Sequence, residues 1–135
     1  VFSELYARLM TWAEPRGFVA PQTSLFNLYH DDPSLTDDDR LRVSVCVPVA
    51  AETPSEGDIG RMAIPAGDVA VGRFELGNDD DPEAWYAMAA GWLPDSGYEP
   101  DDRLPFERYI IGREAQREDA EVMDIGIPVR PLRRY

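Results

Sequence analysis

The sequence contains no lysine, one cysteine and one histidine among its 135 residues. Without lysine, the chain cannot form a Schiff base with a carbonyl substrate or complete a Gly-Lys-Ser/Thr phosphate-binding loop. The single cysteine, Cys46, excludes an internal disulfide and a cysteine-cluster metal site, and it favours a reducing cytoplasm. The single histidine, His30, has no serine or cysteine motif beside it, so a hydrolytic triad is not indicated. We expect neither a metal nor a cofactor.

Long apolar runs are also missing. No stretch approaches the ~20 residues that span a bilayer, and the N-terminus lacks a basic-then-apolar signal pattern. The length suits one domain, residues 1–135, large enough to bury most of the surface that its unfolded chain exposes. The sequence therefore predicts a cytoplasmic domain without a membrane partner, and a homodimer is left open.

Basic charge is scarce relative to acidic charge. Thirteen arginines face 26 acidic residues, for a formal net charge of -13 and a pI near 4.3. Such a surface repels phosphate backbones, so DNA contacts would need a separate upstream domain, whereas cations are attracted. Solubility or genomic base composition explains the acidity equally well. The acidic clusters at 31–32, 37–39, 79–81 and 101–102 lack the pattern of a calcium-binding hand loop, and we interpret them as turns.

An internal repeat organises the chain. Residues 6–49 and 86–129 align at a constant offset of 80 without a gap. The offset pairs Tyr6 with Tyr86, Trp12 with Trp92, Gly17 with Gly97, Phe26 with Phe106, and Tyr29 with Tyr109. We predict two copies of one module, at about 1–49 and about 58–130, related by a pseudo-twofold axis and separated by a ligand cleft.

Hydrophobic periodicity assigns the elements of each copy. One amphipathic helix begins almost at residue 1, and a second begins at Asp81 and Pro82. Strands are predicted at about 24–30, 40–49, 105–111 and 121–129, with a hairpin of strands 59–64 and 69–75 turned at 65–67. The first copy lacks its leading strand, which we expect before Val1. The predicted fold is α+β: duplicated strand-helix-strand-strand modules forming an antiparallel sheet, with two helices on one face.

The candidate site follows from the residue that breaks the repeat, because Asn27 in the first copy is Glu107 in the second. Side chains alternate along a strand, so Glu107 shares a face with Tyr109, and Asn27 shares one with Tyr29. If the helices cover the apolar faces of the strands, these four residues line the opposite face. Ser44, Cys46 and Asp124 are predicted to join them there.

A cleft with aromatic walls and one carboxylate suits a planar or amphiphilic cation, which gains cation–π attraction of ~0.5–2 kcal/mol per ring and a neutralising charge. Two plainer interpretations stay open. Glu107 would be an ordinary acid on a solvated face, and the tyrosines would be cross-strand packing. Trp85 aligns with Leu5 in the repeat, so it departs from the symmetry of the two copies. It either reaches the cleft or packs in the core.

Several segments resemble the GyrI-like small-molecule-binding domain family, which includes effector-binding domains of AraC-type transcription regulators and a stand-alone gyrase-inhibitory protein. The resemblance covers nearly the whole chain and is most specific in the WLPDSGYEP segment, residues 92–100, and the FERY strand, residues 106–109. It implies a pocket between the modules in which a glutamate matching Glu107 meets cationic or amphiphilic ligands. Tyr109 and Trp85 match positions that often contribute.

The resemblance leaves three functions to weigh. The first is a multidrug-type ligand sensor within an AraC-type regulator; its predicted ligand-binding residues are Glu107, Tyr109, Trp85, Asn27, Tyr29 and Cys46. The second is a stand-alone gyrase-inhibitor-like protein. The third is a hydrolase of cyclopropane-bearing genotoxins, in which Glu107 acts on water and Tyr109 polarises the electrophile. We favour binding without a reaction, and we assign no catalytic residue.

Overall fold

The computed structural model describes residues 2–33, 35–37, 39–77, 81–114 and 120–133, with the side chains of residues 2, 81 and 82 excepted. Within them the chain is an α+β fold with one antiparallel sheet of six strands and two helices. The strands are β1 Ser24–Tyr29, β2 Val43–Cys46, β3 Val69–Leu76, β4 Tyr98–Pro100, β5 Phe106–Ile110 and β6 Glu121–Pro131. Residue 1, and residues 38, 79 and 80 of the acidic clusters, lie outside the described parts.

Helix α1 spans Phe2–Ala13, as the spacing of apolar residues predicts. A 3-10 turn at Glu14–Arg16 follows, with Pro15 in its first positions. Gly17 then takes the left-handed conformation, with φ 78°, and its backbone N–H donates to the carbonyl oxygen of Glu14. Proline and glycine together therefore end the helix.

The second helix is less regular than the first. α2 spans Asp81–Tyr86, and the chain continues as a π-helical segment at Ala87–Trp92 and a 3-10 turn at Leu93–Asp95. This differs from α1, although the repeat predicts equivalent helices. π-Helical turns widen a helix locally and often occur near functional positions.

The sheet has the strand order β2-β1-β5-β6-β3, and β4 pairs with the far end of β6. The predicted strands at 24–30, 40–49, 69–75, 105–111 and 121–129 are confirmed with changed limits; the largest change shortens 40–49 to Val43–Cys46. β1 and β5 run side by side, and Asn27 lies directly opposite Glu107 in their register. Asn27 and Glu107 are 80 residues apart, which is the offset of the repeat, so their pairing is compatible with a pseudo-twofold axis between β1 and β5. The duplication itself and a cleft between the halves remain predictions.

The predicted hairpin of 59–64 with 69–75 is wrong. β3 pairs with β6, and the described residues 60–68 contain no strand. Topology supplies the reason: β2 and β3 lie at opposite edges of the sheet, and residues 47–68 are the only connection between them. This crossover segment runs from the β2 edge to the β3 edge, and β3 takes β6 as its partner instead of residues 59–64.

The main core cluster lies between α2 with its π-helical continuation and β6. Its buried members are Ala84, Met88, Met123, Ile125, Ile127 and Val129. Met88 packs so closely on Gly72 of β3 that its sulfur occupies the place of a β-carbon. Because Gly72 pairs with Ile125, and Ile125 pairs with Glu107, these residues share one face of the sheet.

The helices therefore cover the face that carries Glu107, which corrects the prediction that Glu107 faces away from them. The prediction assigned Phe106 and Ile110 to the helix-covered face of β5. The alternating apolar residues of β6, namely Met123, Ile125, Ile127 and Val129, instead pack against α2, which lies on the side of the sheet that carries Glu107. Glu107 is therefore buried beneath the helices and does not lie on an open face of the sheet.

Candidate ligand-binding site

Glu107 lies in the middle of β5 with 1% of its surface exposed. Its neighbours across the sheet are Asn27 on β1 and Ile125 on β6, which are 2% and 0% exposed. A buried carboxylate is unfavourable unless hydrogen bonds or an opposite charge compensate for its lost hydration. The structure therefore rules out the interpretation of Glu107 as an acid on a solvated face.

Three neutral donors compensate the Glu107 carboxylate. The Asn27 amide donates from Nδ2 to Oε1 at 2.9 Å, and the Tyr29 hydroxyl donates to the same oxygen at 2.6 Å. The indole Nε1 of Trp85 donates to Oε2 at 2.9 Å. None of these donors carries a positive charge, and no arginine or histidine of the described residues forms an ion pair with Glu107.

A fourth side chain, Tyr6, extends this cluster to helix α1. Its hydroxyl donates to Oδ1 of Asn27, which leaves Nδ2 of the same amide facing Glu107. Burial above all, with the electrostatic influence of Cys46 and Glu107, raises the pKa of Tyr6 above its ordinary value. Sequence reasoning missed Tyr6 as a site residue, although its spacing of three and seven residues from buried Leu9 and Ala13 places it on the inner stripe of the helix.

Aromatic rings flank the carboxylate. Tyr29 and Trp85 meet edge to face, with ring centroids 5.3 Å apart and an interplanar angle of 76°. Tyr109 lies on the Glu107 face by strand alternation and, like Trp85, packs against the core cluster. Trp85 therefore packs against the core cluster and also donates a hydrogen bond to Glu107.

Ser44, Cys46 and Asp124 do not join this cluster, which corrects the prediction that they share its face. In the register, Cys46 pairs with Phe26, and Asp124 pairs with Arg108, so both lie on the opposite face of the sheet. Ser44 lies on that face too, within 2.7 Å of the exposed His30 ring. The prediction failed because alternation along one strand shows only which of its own residues share a face. The pairing register between strands decides which residues of different strands lie on the same face of the sheet.

Asp124 has a different environment from Glu107, with three arginines around a side chain that is 0% exposed. Arg73 donates to Oδ1 at 2.9 Å, while Arg108 and Arg113 donate to Oδ2 at 2.6 and 3.3 Å. Burial opposes ionisation, but the hydrogen bonds from the guanidinium groups outweigh it and lower the pKa of Asp124 to about 2. Of the two buried acids, one is paired with cations and the other is not.

Metal chemistry finds no support in the described residues. They contain no group of three or more histidine, cysteine, aspartate or glutamate side chains placed to hold an ion. They also contain no helix of the length and apolar character that a bilayer crossing requires. The arrangement around Glu107 consists of a carboxylate, neutral donors and aromatic rings.

Comparison with known proteins finds similar sequences over most of the chain. A model of the GyrI-like small molecule binding domain matches residues 1–130. The chain is 30% identical over 129 residues to a protein named DNA gyrase inhibitor from Edwardsiella piscicida, covering 93% of this chain and 80% of the relative. It is 31% identical over 112 residues to a DNA gyrase inhibitor from Serratia proteamaculans (strain 568), with coverages of 80% and 70%.

Proposed function

The chain belongs to the GyrI-like small-molecule-binding domain family, and on that premise we propose that it binds a cationic or amphiphilic small molecule at Glu107. The observation that carries the proposal is a carboxylate with 1% exposure whose hydrogen-bond donors Asn27, Tyr29 and Trp85, all among the described residues, are neutral. Such a carboxyl group lies in a medium of low polarity, where opposite charges attract each other more strongly than at the surface.

The neighbouring side chains suit the same ligand. A planar cation gains about 0.5–2 kcal/mol from each ring face that it meets, and Tyr29, Trp85 and Tyr109 supply rings on this side of the sheet. Trp85 is the least buried of the three donors to Glu107. We therefore propose that the ligand enters past Trp85 and takes over its hydrogen bond to Oε2.

A dye titration tests the proposal. Glu107→Gln keeps the side-chain shape and an accepting oxygen but removes the charge. We expect it to weaken binding of a rhodamine-type cation by about tenfold to a hundredfold, as hydrogen bonds to charged groups contribute about 1.5–3 kcal/mol. A neutral analogue of the same size should lose little affinity. Fluorescence anisotropy of both dyes measures the difference.

Glu83→Gln is the matched control, because Glu83 is an exposed acid in the same helix as Trp85 and the change in net charge is identical. It should leave both affinities nearly unchanged. If Glu107→Gln weakens the cation and the neutral analogue equally, the carboxylate has only a structural role and the proposal fails.

The regulatory form of this proposal is an effector module of an AraC-type transcription regulator. The net charge of -13 disfavours DNA binding by the domain itself, so a separate basic module would contact DNA. The ligand would have to bind one arrangement of the protein better than another, since equal affinity shifts no equilibrium. A helix-turn-helix encoded in frame upstream of Val1 would support this form, and a stop codon directly upstream would exclude it.

A second candidate function is inhibition of DNA gyrase by the domain on its own, which the names of the relatives favour as much as a regulatory role. The acidic surface suits a partner with a basic surface, such as a DNA-binding enzyme. Purified protein should then slow gyrase supercoiling of relaxed plasmid in a dose-dependent manner. Unchanged supercoiling at a large molar excess of the protein would exclude this function.

A further inference from the structure

A second concavity, of about 360 Å³, lies beside α1 at the β2 edge of the sheet, and neither Glu107 nor any of its three donors lines it. The crossover segment forms one wall, and residues of α1, β1 and β2 form the others. Its volume falls within the range of about 300–1,000 Å³ that is typical of small-molecule pockets. Apolar side chains predominate in its lining, among them Leu9, Trp12, Phe26, Val45, Met62 and Ile64.

Polar contacts hold the crossover segment against α1 and thereby preserve the pocket. Glu56 accepts a hydrogen bond from the Trp12 indole at 3.0 Å and another from Arg16 at 2.6 Å. Asp58 forms an ion pair with Arg8, one helical turn before Trp12. Glu56 and Asp58 are thus each paired with an arginine, and neither of them lines the pocket.

The described residues that line the pocket include no negative charge that would select a cation. Arg61 is the one charged residue among the described residues that line it, and its guanidinium donates to the backbone carbonyl of Ala51 at 2.7 Å. Within the described parts of the chain, no carboxylate lines it, in contrast to the cluster around Glu107. A cation entering it would lose hydration without gaining an opposite charge.

We propose that this pocket is a second ligand site, which takes a neutral apolar small molecule. Met62 and Ile64 at its lining are 46% and 53% exposed, and an apolar occupant would remove their surface from water. The two sites divide ligands by charge: cations bind at Glu107, and neutral molecules bind between α1 and the crossover segment.

The only cysteine of the sequence provides a local reporter, because Cys46 lines this pocket and is partly buried. N-ethylmaleimide alkylation of Cys46 can be followed by mass spectrometry, with N-phenyl-1-naphthylamine as the neutral probe. At a probe concentration about ten times its Kd, about one tenth of the pockets stay empty, so we expect alkylation to slow about tenfold. A rhodamine-type cation at Glu107 should protect Cys46 far less.

Two substitutions of equal chemistry separate pocket binding from general hydrophobic association. Ile64→Glu places a charge at the pocket and should abolish protection by the probe. Ile111→Glu makes the same change at a side chain that is 43% exposed and does not line the pocket, so protection should persist. Both positions are exposed, which lets each variant retain the fold.

Glu107→Gln distinguishes this inference from the proposed cation site. Protection of Cys46 by the neutral probe should be unchanged in that variant, whatever the cation titration shows. The inference is overturned if the probe gives no protection, if Ile64→Glu leaves protection intact, or if Glu107→Gln removes it.

Discussion

The Tyr6 hydroxyl decides which end of the Asn27 amide meets Glu107. It donates to Oδ1, so the amide must present Nδ2 to the carboxylate. If the amide turned over, one carboxylate oxygen would face a carbonyl oxygen, and the cluster would lose a donor. Tyr6 therefore orients the cluster through Asn27, to which its hydroxyl donates.

Tyr6→Phe tests that role. It leaves the buried Oδ1 of Asn27 without its donor, so we expect the free energy of unfolding to fall by about 1–3 kcal/mol. Tyr86→Phe is the matched control, since Tyr86 occupies the equivalent position of the repeat and is 73% exposed; its effect should stay within about 0.5 kcal/mol. Urea denaturation measures both, and equal losses would contradict the role of Tyr6.

Residue-scale prediction succeeded where one position departs from a pattern. The repeat alone singled out Asn27 and Glu107, and alternation correctly put Tyr29 and Tyr109 on their face. Trp92 is the repeat partner of Trp12, yet it is 43% exposed and stacks on Tyr98. The size of a side chain does not reveal whether its helix presents it to the sheet, because that depends on how the helix is rotated.

At the scale of elements, Asp124 links three neighbouring strands, because its arginine partners come from β3, from β5 and from the segment just after β5. Its folded-state pKa of about 2 lies below the ordinary value of 3.8. Its stabilisation is therefore present above about pH 4 and is lost as the pH falls towards 2.

Asp124→Asn should accordingly lower the free energy of unfolding at neutral pH by at least about 2 kcal/mol, from a shift of nearly two pKa units. The difference from the wild type should shrink as the pH is lowered from about 6 to about 3. Asp39→Asn, at an exposed loop position, should show neither effect. A difference that is constant across this pH range would contradict the assigned cause.

Gly126 lets two strands pack closely around an aromatic ring. It lies opposite Phe106 in the β5–β6 register, and the Phe106 ring occupies the space that a side chain at Gly126 would need. Gly126→Ala should destabilise the protein by about 1–3 kcal/mol through overpacking. Gly60→Ala has open space and should be nearly neutral or slightly stabilising in thermal unfolding. Equal melting temperatures for the two variants would contradict this account.

Elements with strong periodicity were predictable, and the connection between them was not. The α1 helix and the β6 strand have unbroken apolar patterns, and both were assigned close to their observed limits. The 59–64 segment was predicted as a strand, yet residues 60–64 form none, and they belong to the connection that runs from one edge of the sheet to the other. Local alternation carries no information about which strand lies at which edge.

On the scale of the whole molecule, the net charge of -13 acts on ligands before they reach the site. We expect the association rate constant of a cationic dye to fall by about tenfold or more as the salt concentration rises from about 0.01 M to about 1 M, which shortens the Debye length from about 30 Å to about 3 Å. A neutral dye should show little change. Stopped-flow fluorescence measures both, and equal salt dependence would show that steering by charge is absent.

The sequence by itself determined the α+β class through its periodicity, the family through the resemblance of segments such as residues 92–100 and 106–109, and the acid at position 107 through a break in a repeat. The tertiary structure decided the environment of Glu107. Pairing of β5 between β1 and β6 put Glu107 opposite Asn27 and beneath the helices, and packing brought Trp85 and Tyr6 to the same cluster. The same register sent Cys46 and Asp124 to the other face, since a strand's two faces acquire their roles only when its partners and its cover are in place.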